Sequence, residues 1–227
     1  MSKSSLQTII NYSPNFNPIK RKFRDIKFII FHYTGMKNDR HATKRLTDSK
    51  SKVSSHYLIR DDGKIVVLVP DLYIAWHAGV SYWKKYKLLN KNSIGIEISN
   101  PGHNLSYKKF SNNQVNSILV LSKFLINKYK IKSENILGHS DIAPARKMDP
   151  GEKFPWQYLF KNKIGFWHDL DQKFLHKKRA QKTTKNQVDS GFDLPIFVVR
   201  HFHQRRIASN PPALAQQLHS EEHKHKL

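Results

Sequence analysis

Cysteine is missing from all 227 residues. Disulfides and thiolate metal ligands are thereby excluded, and a metal site in this chain has only His, Asp and Glu to draw on as strong ligands. Acidic side chains are scarce, 17 against 40 Lys and Arg, which leaves a formal net charge of +23. Such a balance favours polyanionic partners: nucleic acid, anionic lipid surfaces or acidic cell-wall polymers. The excess is spread along the chain, with 29 basic and 12 acidic side chains up to Leu170 and 11 and 5 beyond it. No single tail accounts for it, and the accompanying wealth of Asn and Ile is equally the mark of an AT-rich coding sequence. No apolar run approaches the roughly 18 residues of a spanning helix. The first dozen residues hold no continuous apolar stretch of the signal-peptide kind, and without cysteine there is no lipoprotein attachment site. These absences predict a soluble chain without a transmembrane segment, cytoplasmic by default, with a periplasmic or secreted location by another route as the alternative. They leave the oligomeric state open.

What is present organises into one domain of ordinary size with appendages. Residues 1–25, with Pro14, Pro18 and the run Lys20-Arg21-Lys22, show no periodicity and read as an extended lead-in. The main domain is expected over residues 26–170. Lys27 to Phe31 reads as a buried strand. Ser54 to Arg60 and Lys64 to Val69 flank Asp61-Asp62-Gly63, a tight-turn signal that makes them antiparallel neighbours. Ser93 to Ser99, bounded by Asn and Pro-Gly, reads as a central strand. Ser111 to Tyr129 sets Val115, Ile118, Leu119, Leu121, Leu125 and Ile126 at helical spacing, with Ser111 and Gln114 forming a capping-box pattern. Glu134 to Gly138 suits a short strand, and Pro155 to Phe160 a helix with Pro in its first turn. The mixture indicates an α/β or α+β domain. Beyond it, residues 171–227 form a basic C-terminal extension: Lys173 to Lys185 is linker-like, Val188 to Ile207 has some helical character, Asn210-Pro211-Pro212 breaks it, and Glu221 to Leu227 reads as disordered.

Five polar residues stand out against this background. His32 ends the apolar run Phe28-Ile29-Ile30-Phe31, Glu97 interrupts Ile94-Gly95-Ile96-Glu97-Ile98, and His139, Lys147 and Asp149 crowd the segment from Gly138 to Gly151. A hydrolytic zinc site needs about three protein ligands and an open position, and His32, His139 and Asp149 can supply them. Spacing alone leaves a second reading open, because the chain has 13 histidines and a histidine at a strand end is commonly a satisfied structural residue. Glu97 has two readings as well. An isolated buried carboxylate is costly, so it either serves a cleft as a base or turns outward by strand alternation to meet a lysine.

The chain resembles the zinc-dependent N-acetylmuramoyl-L-alanine amidases, the AmpD-like family that shares its fold with peptidoglycan-recognition proteins. The matching stretches are Phe31-His32-Tyr33-Thr34, Val53 to Ile59, Ala75-Trp76-His77-Ala78-Gly79, Asn92 to Glu97, Gly138 to Pro144, Arg146 to Gly151 and Phe154-Pro155-Trp156. They run in the family's order over roughly residues 26 to 166. The resemblance implies a central mixed sheet flanked by helices, with a substrate groove over one zinc ion. It further implies His32, His139 and Asp149 as zinc ligands, Glu97 as general base and Lys147 as the cation that meets the oxyanion. None of those five positions is missing.

On the same basis Trp76, His77, Ser81, Tyr82 and Trp83 are expected to wall the groove and Arg146 to bind a stem-peptide carboxylate, against the alternatives that the tryptophans are core and Arg146 a surface charge. His56 reads as a structural residue, and His201, His203, His219, His223 and His225 as solvated. The stretches Gly191-Phe192-Asp193 and Val198 to Arg206 faintly resemble a small peptidoglycan-binding module, though too few residues follow to complete it. The implied activity is hydrolysis of the amide between N-acetylmuramic acid, or its 1,6-anhydro form, and L-alanine, with peptidoglycan or muropeptides as partner. A non-catalytic peptidoglycan-binding protein is the alternative that the five retained positions argue against. A nucleic-acid binder fits the charge, but no common nucleic-acid motif is present.

Overall fold

The chain is described here from Leu6 to Trp167 in a computed structural model. The expectations for residues 171–227, including the tail histidines and the module-like stretches, lie outside the described residues.

The elements run in the order β1 (Thr8–Ile10), β2 (Phe16–Asn17), β3 (Phe28–Tyr33), α1 (Asp39–Thr47), β4 (Tyr57–Ile59), β5 (Ile65–Val67), β6 (Ile74–Ala75), β7 (Tyr82–Trp83), β8 (Tyr86–Lys87), β9 (Ser93–Ile98), α2 (Asn112–Tyr129), β10 (Ile136–Gly138), α3 (His139–Ile142) and α4 (Trp156–Lys161). Six strands form one mixed sheet in the order β1-β5-β4-β9-β3-β10. Only β4 and β5 pair antiparallel there, across the turn at Asp61 to Gly63. The ribbons β2–β6 and β7–β8 stand apart. This is the expected mixed α/β architecture with a central sheet and flanking helices.

The apolar runs of β3 and β9 follow from their central position, since a strand covered on both faces needs apolar side chains at odd and even positions alike. Ile29, Phe31, Ile94, Ile96 and Ile98 pack on one face with Ile118, Leu121 and Leu125 of α2. On the other face Phe28 and Ile30 join Ala78, Leu89, Leu137 and Ile142, and Leu58 and Val66 meet Leu46 of α1. Truncating a fully buried leucine such as Leu121 to alanine would cost about 2–5 kcal/mol. The capping box of α2 is formed: Ser111 Oγ accepts from the Gln114 amide at 3.2 Å, and Gln114 Oε1 accepts from the Ser111 amide at 3.0 Å.

Two features depart from the pattern reading. Helix α1 was not expected, because it buries only Ala42 and Leu46 and so shows no apolar stripe. Its start is set by Asn38, whose side chain accepts from the His41 amide at 3.1 Å. The supposed lead-in is part of the folded body: β1 pairs in parallel with β5, and the buried Arg21 guanidinium donates to the carbonyls of Asp71, Asn90, Lys91 and Ser93. A three-residue edge strand and one buried arginine leave no periodicity to see. No helix among the described residues is long and apolar enough to cross a membrane.

Candidate active site

Parallel register decides which side chains meet. Strands β3 and β9 align His32 with Glu97, and β10 aligns Gly138 with Phe31, so the residue after Gly138, His139, arrives beside His32. Strand alternation puts His32 and Glu97 on the face opposite α2. His139 opens α3, whose first turn is held by Asp141 Oδ2 accepting from the Gly138 amide at 2.8 Å. The loop that follows is tied back by the Ser140 amide donating to the Asp149 carbonyl at 2.8 Å, which brings the Asp149 carboxylate to the two imidazoles.

The three side chains converge through one atom each. His32 Nδ1 lies 2.9 Å from His139 Nδ1, and Asp149 Oδ2 lies 3.0 Å from both. All three residues are buried, and together they can hold a metal ion. The donor set itself argues for a cation. His139 Nε2 sits 3.1 Å from the Ala78 carbonyl, which can only accept, so in the neutral ring Nδ1 is left as a lone pair facing the carboxylate. Two acceptors in contact repel unless a proton or a cation stands between them.

The electrostatics point the same way. Burial, helped by the neighbouring His139, lowers the His32 pKa to about 4, which keeps the ring neutral and available as a ligand at neutral pH. Burial acting alone would raise Asp149, but attraction to the flanking rings, His139 first and then His32, overcomes it and holds the carboxyl well below its ordinary range. Glu97 moves the other way: burial, aided by the negative charge of Asp149 and opposed by Lys147, pushes it up to about 8. Its Oε2 is buried without a hydrogen-bond partner.

These groups line one cavity of about 360 Å³, shared by His32, Glu97, His139, Lys147 and Asp149. All five residues singled out in the sequence are therefore brought together. The groove residues fare unevenly. Trp76 lines the cavity and is half-buried. His77 also borders it, but both ring nitrogens are engaged inside the protein, Nδ1 at 3.0 Å from His32 Nε2 and Nε2 at 3.1 Å from Ser93 Oγ. Arg146 lines the cavity while its guanidinium donates to the carbonyls of Ala78 and Val80, clamping the loop over His139. Tyr82 is 60% exposed on β7 and is not among the lining residues. Ser81 is spent locally, donating to the Gly79 carbonyl and accepting from the Leu89 amide. Trp83 packs against the Phe28 cluster.

Sequence reasoning missed Arg45 and Asn104, which line the cavity from α1 and from the loop after β9; neither carries a local signal. It also missed Ser93, although strand alternation from Glu97 would have placed it on the same face. His56 is structural as expected: its Nδ1 accepts from the Gly95 amide at 3.0 Å.

A sequence profile of the family described as N-acetylmuramoyl-L-alanine amidase matches residues 22–152. The chain belongs to this family. Among relatives of the amidase family, N-acetylmuramoyl-L-alanine amidase AmiD of Escherichia coli (strain K12) is 44% identical over 159 residues, covering 65% of this chain and 56% of AmiD. The 1,6-anhydro-N-acetylmuramyl-L-alanine amidase AmpD of Enterobacter cloacae is 40% identical over 104 residues, covering 46% of this chain and 54% of AmpD. The chain thus spans about half the length of the curated relatives it matches. Among solved structures it is similar to E. coli AmiD in complex with the substrate anhydro-N-acetylmuramic acid-L-Ala-D-γ-Glu-L-Lys, with a TM-score of 0.63, 30% identity and 86% of each chain covered. It is likewise similar to AmpDh3 of Pseudomonas aeruginosa in complex with anhydromuramic pentapeptide, with a TM-score of 0.61, 30% identity, and 83% of this chain and 75% of that one covered.

Proposed function

We propose that this chain is a zinc-dependent amidase that hydrolyses the bond between N-acetylmuramic acid, or its 1,6-anhydro form, and L-alanine of the peptidoglycan stem peptide. The observation that carries the reading is the convergence of His32 Nδ1, His139 Nδ1 and Asp149 Oδ2 beside a half-buried Glu97 in a chain of this family. One zinc ion is the cofactor proposed, held by those three atoms, and when bound it supplies Lewis acidity toward the amide carbonyl and acidifies water. The donor set suits it, being two neutral imidazoles and one carboxylate with no thiolate.

The chain's own groups then divide the work. Glu97 takes the proton of the attacking water and returns it to the leaving amine nitrogen, and desolvation in the cavity raises the carboxyl's hold on that proton. Lys147, on the same cavity wall, brings its ammonium to the negative charge that develops on the carbonyl oxygen, where a fixed charge in a dry site is most effective. Trp76 offers an aromatic face to the sugar ring. The core of this machinery lies within residues 26–170, with 171–227 as a basic extension that adds attraction to an anionic wall polymer.

The test is mass spectrometry of anhydro-muropeptides and of purified sacculi after incubation with the protein. The reading expects free stem peptides beginning with L-alanine, lost on chelation and restored by zinc. An inert protein with zinc bound would leave a binding module instead.

A further inference from the structure

Behind His32, on the side away from Asp149, a chain of hydrogen bonds has only one consistent direction. Ser93 Oγ lies 2.6 Å from the Leu89 carbonyl. A carbonyl accepts and a hydroxyl has a single proton, so Ser93 donates to Leu89. Toward His77 Nε2, at 3.1 Å, Ser93 can then only accept, and Nε2 of His77 carries the ring proton. The remaining nitrogen, His77 Nδ1, is a lone pair 3.0 Å from His32 Nε2, so His32 donates there. A neutral His32 protonated on Nε2 has its lone pair on Nδ1, the atom that faces His139 and Asp149.

The sequence of β9 builds this device on one face. Residues 93, 95 and 97 alternate to the same side of the strand. Ser93 anchors the His77 ring, Gly95 leaves the space it occupies, and Glu97 reaches the cavity. A Cβ at position 95 would overlap the His77 ring, so the glycine is a clearance that no other residue provides. Strand β3 also explains why a side chain is needed. His139 reaches a backbone carbonyl in a loop, whereas His32 lies in a strand paired on both sides, where the sheet consumes the backbone acceptors.

We propose that Ser93 and His77 form a positioning relay that holds His32 as its Nε2–H tautomer and so presents Nδ1 to the metal. The inference rests on the metal-binding part of the proposed function and is independent of amide cleavage. Orienting partners of this kind govern metal affinity as well as turnover.

The experiment uses the full chain with histidine labelled in nitrogen-15, with and without Zn²⁺, and reads the tautomer of His32 from long-range proton–nitrogen spectra. Zinc affinity is measured in parallel by competition with a chromophoric chelator. Expected are an unprotonated Nδ1 and a protonated Nε2 on His32 in the metal-free wild type. His77→Phe, which keeps the ring volume and removes both nitrogens, should weaken zinc binding by about 10- to 100-fold and give His32 a mixture of tautomers. His77→Asn, whose side-chain oxygen can stand where Nδ1 stood, should recover most of that loss, and Ser93→Ala should weaken binding less than His77→Phe. A metal-free wild type with Nδ1–H on His32 would overturn the relay, as would a natively folded His77→Phe with wild-type zinc affinity. Should His77→Phe fail to fold, the wild-type spectrum and Ser93→Ala decide alone. Intact zinc binding and tautomer in a protein inert toward muropeptides would instead overturn the amidase reading and leave the relay standing.

Discussion

Asp71 and Asp149 are both buried carboxylates, and the protein answers their burial in opposite ways. Asp71 is surrounded by donors: the hydroxyls of Tyr57 and Tyr129 at 2.6 Å each and the Lys128 ammonium at 2.8 Å. Burial raises its pKa, yet the bonds from Lys128, Tyr129 and Tyr57 outweigh that and hold it below the ordinary value. This cluster is complete as folded. Around Asp149 the neighbours are imidazole nitrogens that have spent their protons elsewhere, and Glu97 keeps an unpartnered oxygen close by. That cluster is complete only with a cation and a substrate. A saturated cluster stabilises the fold, while an unsaturated one invites a ligand.

The contrast is sharpest under removal of ligands. His32→Ala, His139→Ala and Asp149→Ala should each abolish both zinc binding and turnover, because a three-ligand site has none to spare, while Asp71→Ala should keep zinc. Metal analysis of the purified variants reads this directly, and full zinc occupancy in all three would break the comparison. Next in size, Glu97→Gln should retain zinc and lower turnover about a hundredfold or more, as expected for loss of a positioned base. Wild-type turnover in that variant would move the base elsewhere.

The same glutamate gives a pH signature in the metal-free protein. A carboxyl raised from 4.5 to about 8 binds its proton more tightly in the folded state, so its contribution falls as pH rises between those values. The difference in denaturant midpoint between wild type and Glu97→Gln should therefore widen to the disadvantage of wild type from pH 5 to 8; a constant difference would contradict the assigned burial. Asp71 runs the other way. Its lowered pKa supplies stability that is present at neutral pH and lost as pH falls below the ordinary carboxylate value. Asp71→Ala should cost on the order of 3 kcal/mol at pH 7 with unchanged zinc affinity, as urea unfolding would show.

Much of this was legible in the sequence because it was locally encoded. The turn at Asp61 to Gly63, the cap at Ser111 and the unbroken apolar runs of β3 and β9 each announce one element. The five site residues were legible through the order of their motifs; their meeting depends on parallel register between strands more than 60 residues apart in the chain, which no local pattern carries. The positions of His77 and Tyr82 are not carried by any local pattern either. His77 looked like a groove residue beside Trp76, but the missing side chain at Gly95 draws its ring inward, whereas Tyr82 sits on a two-residue ribbon away from the cavity. Helix α1 and β1 stayed hidden because they bury too little to leave a period.

The smallest effect expected is from deleting residues 173–227. Zinc content and turnover on soluble fragments should be unchanged, with weaker retention on sacculi, since positive charge is removed from a protein meeting an anionic polymer. A pull-down against sacculi at two salt concentrations measures it, and loss of zinc on truncation would show that the extension supports the site.

The central claim, that the His32 cluster is unfinished without a cation and the Asp71 cluster is finished, is tested most directly by anomalous diffraction at the zinc edge from crystals of the full chain. The account predicts one strong peak per chain, bounded by His32 Nδ1, His139 Nδ1 and Asp149 Oδ2, and none near Asp71. A zinc-saturated crystal with no peak there, or with the ion bound through Nε2 of His32, would contradict it.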